Sequence, residues 1–249
     1  MSNSLVSVVI PVKDGERFLA EAINSVLEQD YRPLEITVVD DGSTDSTAEI
    51  ARSFEEVHYM YQTNQGHAAA MNLGVKTAVG EFLAFLDADD LWEPNKLELQ
   101  VGYLVEHPAV DYVIARTRNF LEPGAQLPAR ITKDLSLTDA VLLSLGTLVA
   151  RKAVFQVVGA FDVSYEHAKD VDWFIRAKEA GLCMAVLPET LLRRRLHGFN
   201  RSFRTRDRKL DLMRAVRATI ERRRGEGGPQ ESAAFSDSSA IDDDCSPSS

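Results

Sequence analysis

Nine residues, Phe82-Leu83-Ala84-Phe85-Leu86-Asp87-Ala88-Asp89-Asp90, constrain this chain more than any other stretch: an apolar run of strand length that stops at carboxylates. A continuous hydrophobic run reads as a parallel strand covered on both faces, and ligands of open α/β sheets gather beyond the carboxyl ends of such strands. Asp87 and Asp89 are two apart, so on an extended chain they point the same way. Together they suit a hard divalent cation such as magnesium or manganese, which keeps coordination positions open for substrate phosphates. Turn and helix-capping chemistry is the competing use of the same residues, because Asp is common in both settings.

A second run of the same design weighs toward a site. Leu34 to Val39 is strand-like and ends in Asp40-Asp41-Gly42-Ser43-Thr44-Asp45. Gly42 permits a tight turn, and Ser43 or Thr44 is placed to N-cap the helix that follows. Capping accounts for Gly42 to Asp45 but leaves Asp40 and Asp41 at the strand end unexplained. Two acidic strand ends predict one polar crevice.

The rest of the pattern is α/β. Val6–Val12, Val57–Tyr61, Tyr112–Ala115 and Leu148–Ala150 read as further strands. Helices are expected over Glu16–Gln29, Gly66–Ala78, from Pro94 to His107, just before Val158, and over Lys169–Ala180 with Gly181 as C-cap. Asn119–Asp134, with Pro123, Gly124 and Pro128, reads as a mobile loop. Alternation at this spacing argues for βαβ units. The longest apolar stretch, Ala140–Ala150, is broken by Ser144, Gly146 and Thr147 and is too short to span a bilayer. Two cysteines, Cys183 and Cys245, predict no structural disulfide and point to a reducing cytoplasm.

Charge divides the chain. The net charge is −10, yet Arg193–Arg224 is strongly basic and Gly225–Ser249 is Gly/Ser/Pro-rich with acids and no cations, which reads as a disordered tail. The expected organisation is a catalytic domain over 1–203, a basic amphipathic helix over 204–224 and that tail over 225–249. Within the helix, Leu210, Met213, Val216 and Ile220 form a stripe open to two uses: lying on an anionic bilayer at the inner face of the membrane, or packing on the acidic body. No nucleic-acid recognition motif accompanies the basic residues, so no nucleic-acid partner is expected.

In order and spacing, Ser7-Val8-Val9-Ile10-Pro11-Val12, Val38 to Asp45, Asn64-Gln65-Gly66 with Asn72-Leu73-Gly74, and Phe85 to Asp90 resemble the family 2 glycosyltransferases. The resemblance continues through Gly159-Ala160-Phe161-Asp162, Asp170-Val171-Asp172-Trp173 and Arg194 to Ser202. It implies the GT-A fold: Rossmann-like, a mostly parallel sheet with helices on both faces. It implies an inverting transferase that uses a nucleotide-diphosphate sugar donor, a divalent metal (Mn2+ or Mg2+) and a glycan or lipid-linked hydroxyl acceptor in cell-envelope or exopolysaccharide synthesis. By the same resemblance Pro11 and Asp41 lie near the base, Asp87 meets the ribose or a metal-bound water, and Asp89 ligates the metal. Asp170 is the catalytic base, and His197 reaches back toward the diphosphate.

Displacement at an anomeric carbon needs a base for the acceptor proton and stabilisation of the departing diphosphate, which one carboxylate and one metal supply. Two departures from the family pattern bear on this. Lys169 stands where Glu commonly flanks the base, and its ammonium would favour the ionised, weaker form of Asp170. Met71 replaces an Arg, leaving the metal, His197 and an arginine from Arg193–Arg195 to neutralise the diphosphate. Neither removes a required carboxylate, so an active enzyme is expected. A catalytically silent nucleotide-sugar-binding subunit is the alternative. A G-x-G-x-x-G turn and a P-loop are both absent, which sets aside dehydrogenases and P-loop nucleotidases.

Overall fold

Buried strands alternating with amphipathic helices set the architecture. The computed structural model describes residues 4–125, 139–141, 143–198, 200 and 205–226, with the side chains of 205–208 and 223–226 excepted. The first half runs β1 (Val6–Val12), α1 (Leu19–Leu27), β2 (Leu34–Asp41), α2 (Thr47–Arg52), β3 (Val57–Gln62), α3 (His67–Thr77), β4 (Phe82–Phe85). The second half runs β5 (Leu91–Trp92), α4 (Lys96–Glu106), β6 (Tyr112–Leu121), β7 (Ala140–Val141), a 3-10 turn (Leu145–Thr147), β8 (Val149–Arg151), α5 (Lys152–Val158), α6 (Lys169–Glu179), β9 (Met184–Leu196) and α7 (Thr205–Glu226).

The strands form one sheet in the order β3-β2-β1-β4-β8-β6-β9-β5, with β7 paired to β6. β3, β2, β1 and β4 are mutually parallel. Beyond β4 the pairing is mixed, with β8 antiparallel to β4 and β6, and β6 parallel to β9. The period of two along β1 explains why both sheet faces must be covered. Val6, Val8, Ile10 and Val12 face a core with α1, α2 and α4, while Val9 faces a second core with α3, α5 and α6. Both cores are built of buried apolar side chains, and the second centres on the ring contacts among Phe85, Phe155, Phe161 and Trp173. Gly74 lets α3 lie close on the sheet: a Cβ there would fall 2.2 Å from Val9 Cγ1.

Register carries the two acidic ends to one edge. Val12 pairs with Asp40, and Val9 pairs with Phe85, so both carboxylate runs emerge at the C-terminal edge, on either side of β1. The order reverses between β1 and β4, and that switch is where α/β sheets open a crevice.

Several expectations need correction. Residues 119–121, read as loop, belong to β6, which continues to Leu121 because β9 pairs with it as far as Leu196. Residues 122–125 do form a turn, with Ala125 N donating to Glu122 O at 2.9 Å; the rest of that predicted loop, 126–134, lies outside the described residues, as does the tail beyond Glu226, and Gly225 and Glu226 close α7. β9, thirteen residues long, was not anticipated as a strand; its Pro188-Glu189 interruption and its three arginines mask the alternation. Ser43 and Thr44 do not cap α2. Asp45 Oδ1 accepts from Thr47 N at 3.0 Å, while Ser43 Oγ accepts from Asp14 N at 2.9 Å. Cys183 is disulfide-bonded, against the expectation of reduced thiols. Cys245 is outside the described residues. Among these residues no helix is long and apolar enough to cross a membrane.

Candidate active site

Residues from four places in the sequence meet at the C-terminal edge of the sheet. Asp87, Asp89 and Asp90 follow β4, and each offers a carboxylate oxygen within 4.8 Å of the others. Asp87 is exposed, Asp89 half-buried and Asp90 buried. Burial, then the charges of Asp89 and Asp87, push the Asp90 carboxyl well above the carboxylate range. The cluster therefore concentrates more negative charge than its surroundings neutralise, and its donors are hard oxygens. That combination fits a dication of the magnesium or manganese kind.

The end of β9 meets this turn. His197 Nε2 lies 2.9 Å from Asp89 Oδ2, and Asn200 Nδ2 donates to the same oxygen at 3.3 Å. Asn200 also donates to Arg195 O at 3.0 Å and accepts from His197 N, which ties it to the backbone on both sides of Leu196 and holds the histidine in place. The His197 ring packs on Phe18, with centroids 4.9 Å apart. Arg195 N donates to Asp90 Oδ1 at 2.8 Å, and Arg195 Nε donates to Asp89 O at 3.0 Å. The Arg195 guanidinium is sandwiched between Phe18 and Phe120 and ion-paired to Glu21 and Glu122. Of the three arginines expected to serve a diphosphate, Arg195 is thus spent on structure. Arg193 stands by Glu93 and Phe120. Arg194 is the one whose charge reaches Asp90 and lowers its carboxyl.

On the other side of β1, Asp40 and Asp41 are buried for different purposes. Asp40 accepts from Ser43 N at 2.8 Å and from Tyr59 OH at 2.7 Å; burial and this carboxylate push the Tyr59 phenol up to about 12. Asp41 accepts from Gln62 Nε2 and Gln65 N through one oxygen, and from Gly66 N through the other. The Asn64 amide, oriented to satisfy its neighbours, donates to that second oxygen at 3.0 Å. Asp41 therefore shapes the entry to α3, where Gly66 takes φ +94, a conformation open to glycine. Pro11 is buried in β1 beside Val39.

The fourth contribution comes from α6. Asp170 sits in its first turn, with Oδ1 accepting from Val171 N at 2.9 Å. Burial raises the Asp170 carboxyl; the Lys169 ammonium and the backbone bonds lower it, and Asp87 raises it further, with a net upward shift. Lys169 acts in the direction expected of it but is outweighed by desolvation. The Asp87 effect also places the α6 start within electrostatic reach of the strand-end cluster. Met71 faces the second core, fully buried, so no cation is presented from that position.

Sequence reasoning missed His67 and the part played by Asn200, and it gave Arg195 to the diphosphate rather than to structure. His67, one residue into α3, has Nε2 3.0 Å from Asp87 Oδ1. Its only signal was position, directly after Gly66. Asn72 clamps Phe161 through two bonds, side-chain amide to Phe161 O and Phe161 N to side-chain oxygen, both 2.8 Å. Two motif segments that look independent in sequence are thus one joint, fixing the turn that leads toward α6.

Residues 7–155 match the family model for glycosyl transferase family 2. An uncharacterized glycosyltransferase of Rickettsia typhi is 35% identical over 184 residues, covering 68% of this chain and 58% of that protein. The putative teichuronic acid biosynthesis glycosyltransferase TuaG of Bacillus subtilis is 31% identical over 163 residues, 61% of this chain and 65% of that one. The chain therefore spans well under two thirds of the Rickettsia relative. Among solved structures, S. aureus TarS 1–349 in complex with UDP-GlcNAc superposes with a TM-score of 0.69 at 23% identity, over 86% of this chain and 66% of that one. At that identity the likeness is one of fold.

Proposed function

The chain belongs to glycosyltransferase family 2, and on that premise we propose that it is an inverting transferase moving a sugar from a nucleotide-diphosphate sugar to a hydroxyl of a glycan or lipid-linked acceptor. The observation that carries the reading is the meeting of two kinds of carboxylate. Asp89, with His197 on its oxygen, sits at the strand end, and Asp170, raised by burial, sits within the field of Asp87. One group is suited to a diphosphate and its cation, the other to taking a proton.

In this mechanism Pro11 and the β2 end form the base pocket. Asp41 already accepts four bonds from the chain, so a base N–H would replace the amide of Gln62 or Asn64. Asp87 faces the ribose, held by His67. A manganese or magnesium ion held by Asp89, with His197 alongside, would supply Lewis-acid stabilisation of the departing diphosphate. Arg194 adds a fixed positive charge near the same oxygens. Asp170 takes the proton of the acceptor hydroxyl as that oxygen attacks the anomeric carbon from the face opposite the diphosphate. A carboxyl raised by desolvation holds a proton better than a solvated one, which is the direction a base requires. Lys169, the one feature favouring a silent binding subunit, lowers the Asp170 carboxyl by less than burial raises it, so the enzyme reading is kept.

The name of the B. subtilis relative and the UDP-GlcNAc in the S. aureus neighbour support a cell-envelope glycan product and a nucleotide-sugar donor class. Site, metal and the catalytic extent 1–203 belong to the same proposal. The deciding experiment is turnover of a panel of nucleotide sugars, with manganese, with magnesium and with chelator. Metal-dependent release of a nucleoside diphosphate from one donor is the expected result; binding of donors with no turnover under any condition supports the silent subunit.

A further inference from the structure

We propose that the outward face of α7 docks on an anionic lipid surface. The helix is fixed to the body by the opposite face. Ala215 is fully buried against Tyr165 and Ala168, and Asp211 and Thr219 are buried beside it at i−4 and i+4. Asp211 Oδ2 accepts from Glu166 N and His167 N, both at 3.0 Å, and Arg222 reaches Glu179 and Asp172 on α6. This settles how the stripe is used within the chain: it does not pack on the body.

Leu210, Met213, Val216 and Ile220 point away, 53%, 69%, 47% and 46% exposed. At 100° per residue Met213, Val216 and Ile220 share one arc with Lys209 and Arg217, and Leu210 and Arg214 border it. Four large apolar side chains exposed on one stripe of this helix call for an occupant.

Charge selects the occupant. The helix carries eight basic and four acidic residues inside a chain of net charge −10. Asp211, turned into the body, bonds Arg214; Glu221 pairs with Arg217 at 2.9 Å and Arg222 pairs with Asp172 and Glu179, so the helix keeps its net charge of +4 with Lys209 as the outward cation on the arc. An anionic bilayer repels the rest of the molecule and attracts this element, so electrostatics alone orients the chain. Lys and Arg beside an apolar stripe can bury their stems while keeping their charges at headgroup level, and a deformable interface accommodates side chains projecting from a single helix. Docking has a positional consequence: α7 packs on α6, and Asp211 holds the loop entering it, so the start of α6 with Asp170 is kept near the lipid. A lipid-linked acceptor is then delivered on the side of the proposed base, which extends the functional proposal without being required by it.

The test is co-sedimentation of the full chain with phosphatidylcholine vesicles with and without phosphatidylglycerol, at low and high salt. Wild type is expected to sediment with the anionic vesicles only and to be released by salt. The double variant Met213→Glu/Ile220→Glu is expected to bind about ten-fold or more weakly, with unchanged circular dichroism and unchanged turnover of soluble donor. If that variant loses helix, Met213→Ala/Ile220→Ala keeps helix propensity and must still weaken binding. Equal binding by wild type and variants, or no wild-type binding at low salt, overturns the proposal. So does a dimer in sedimentation velocity that the variants dissolve without any vesicle binding, which would make this face a contact between copies. Nucleotide-sugar turnover is read separately, so failure of the docking proposal leaves the enzymatic one standing.

Discussion

Asp170→Asn isolates the proton-taking role of one carboxylate from everything else that residue does. The amide is nearly the same size, and its oxygen can keep the bond from Val171 N at 2.9 Å, so α6 starts as before. Removing the charge withdraws an attraction to Lys169 and a repulsion from Asp87, which oppose one another. The expected change is therefore concentrated in chemistry. Loss of a positioned general base costs about 10²–10⁴ in rate, or about 2.7–5.4 kcal/mol at about 1.36 kcal/mol per decade. Donor affinity, measured by calorimetry, should stay near wild type while nucleoside diphosphate release falls by that factor.

Two pH signatures accompany this. Wild-type kcat/KM should rise with pH through an ionisation above the ordinary carboxylate range, because burial raises Asp170, and the variant should lack that limb. In stability the raised carboxyl means that the folded state binds the proton more tightly than the unfolded one. Its contribution is present at pH below the unfolded value and is lost as pH rises through the folded value, so relative to wild type the variant gains stability toward neutral pH. If donor affinity collapses while transfer from bound donor survives, the argument is refuted and Asp170 belongs to the donor pocket.

Three further outcomes follow from particular contacts. Asp89→Ala removes the oxygen that holds both His197 and Asn200 and should abolish metal-dependent donor binding along with turnover; full activity of this variant in chelator would contradict the metal proposal. Gly74→Ala puts a methyl 2.2 Å from Val9 Cγ1, so α3 must shift off the sheet at a cost of about 1–3 kcal/mol, seen as a lower urea midpoint with an unchanged slope. An unchanged midpoint would mean that α3 is not seated as described. Lys96 is wholly buried, its Nζ 2.6 Å from Gln100 Oε1 and 4.3 Å from the Trp92 ring, and burial holds its pKa well below the lysine value. The unfolded chain then binds more protons, so wild-type stability relative to Lys96→Met should climb as pH rises from the folded pKa toward 10.5; a gap constant with pH would show that Lys96 is not desolvated.

The parallel half of the fold was legible because β1, β2 and β4 are buried on both faces and bounded by turn residues, while β3 is a half-exposed edge strand. β1, β2 and β4 read as mainly apolar runs of strand length, broken only by Ser7 in β1 and by Glu35 and Thr37 in β2, and the strand order puts them side by side. The second half resisted for a definable reason. β6 and β9 leave the core partway along, so Arg116, Arg118, Arg193 and Arg194 sit on strands whose outer residues face solvent or ion pairs. A period-2 reading needs a clean contrast between faces, and the arginines of β9 merge with the basic run that continues into α7. What looks in sequence like one cationic arm is a strand end, a turn bearing His197, and a helix.

The site shows a similar division between residue type and partner. Strand-end carboxylates are conspicuous because acids rarely follow such apolar runs without a use, and Asp87, Asp89 and Asp170 were identified on that ground or by resemblance. Their partners are not conspicuous. Asp41 was assigned to the nucleotide, yet it also organises the Asn64–Gly66 turn, a bond that depends on the β2–β3 register placing it beside Gln62. Arg195 was grouped with Arg194 as a candidate for the diphosphate. Alternation along β9 sends the two side chains to opposite sides, burying Arg195 between Phe18 and Phe120 over Glu21 and Glu122. Adjacent arginines that are interchangeable in a string thus acquire opposite duties: one rivets the metal-side turn to α1 and β6, and the other directs its charge at the carboxylates. Phase along a strand decides between them, and phase became readable only once β9 had a partner.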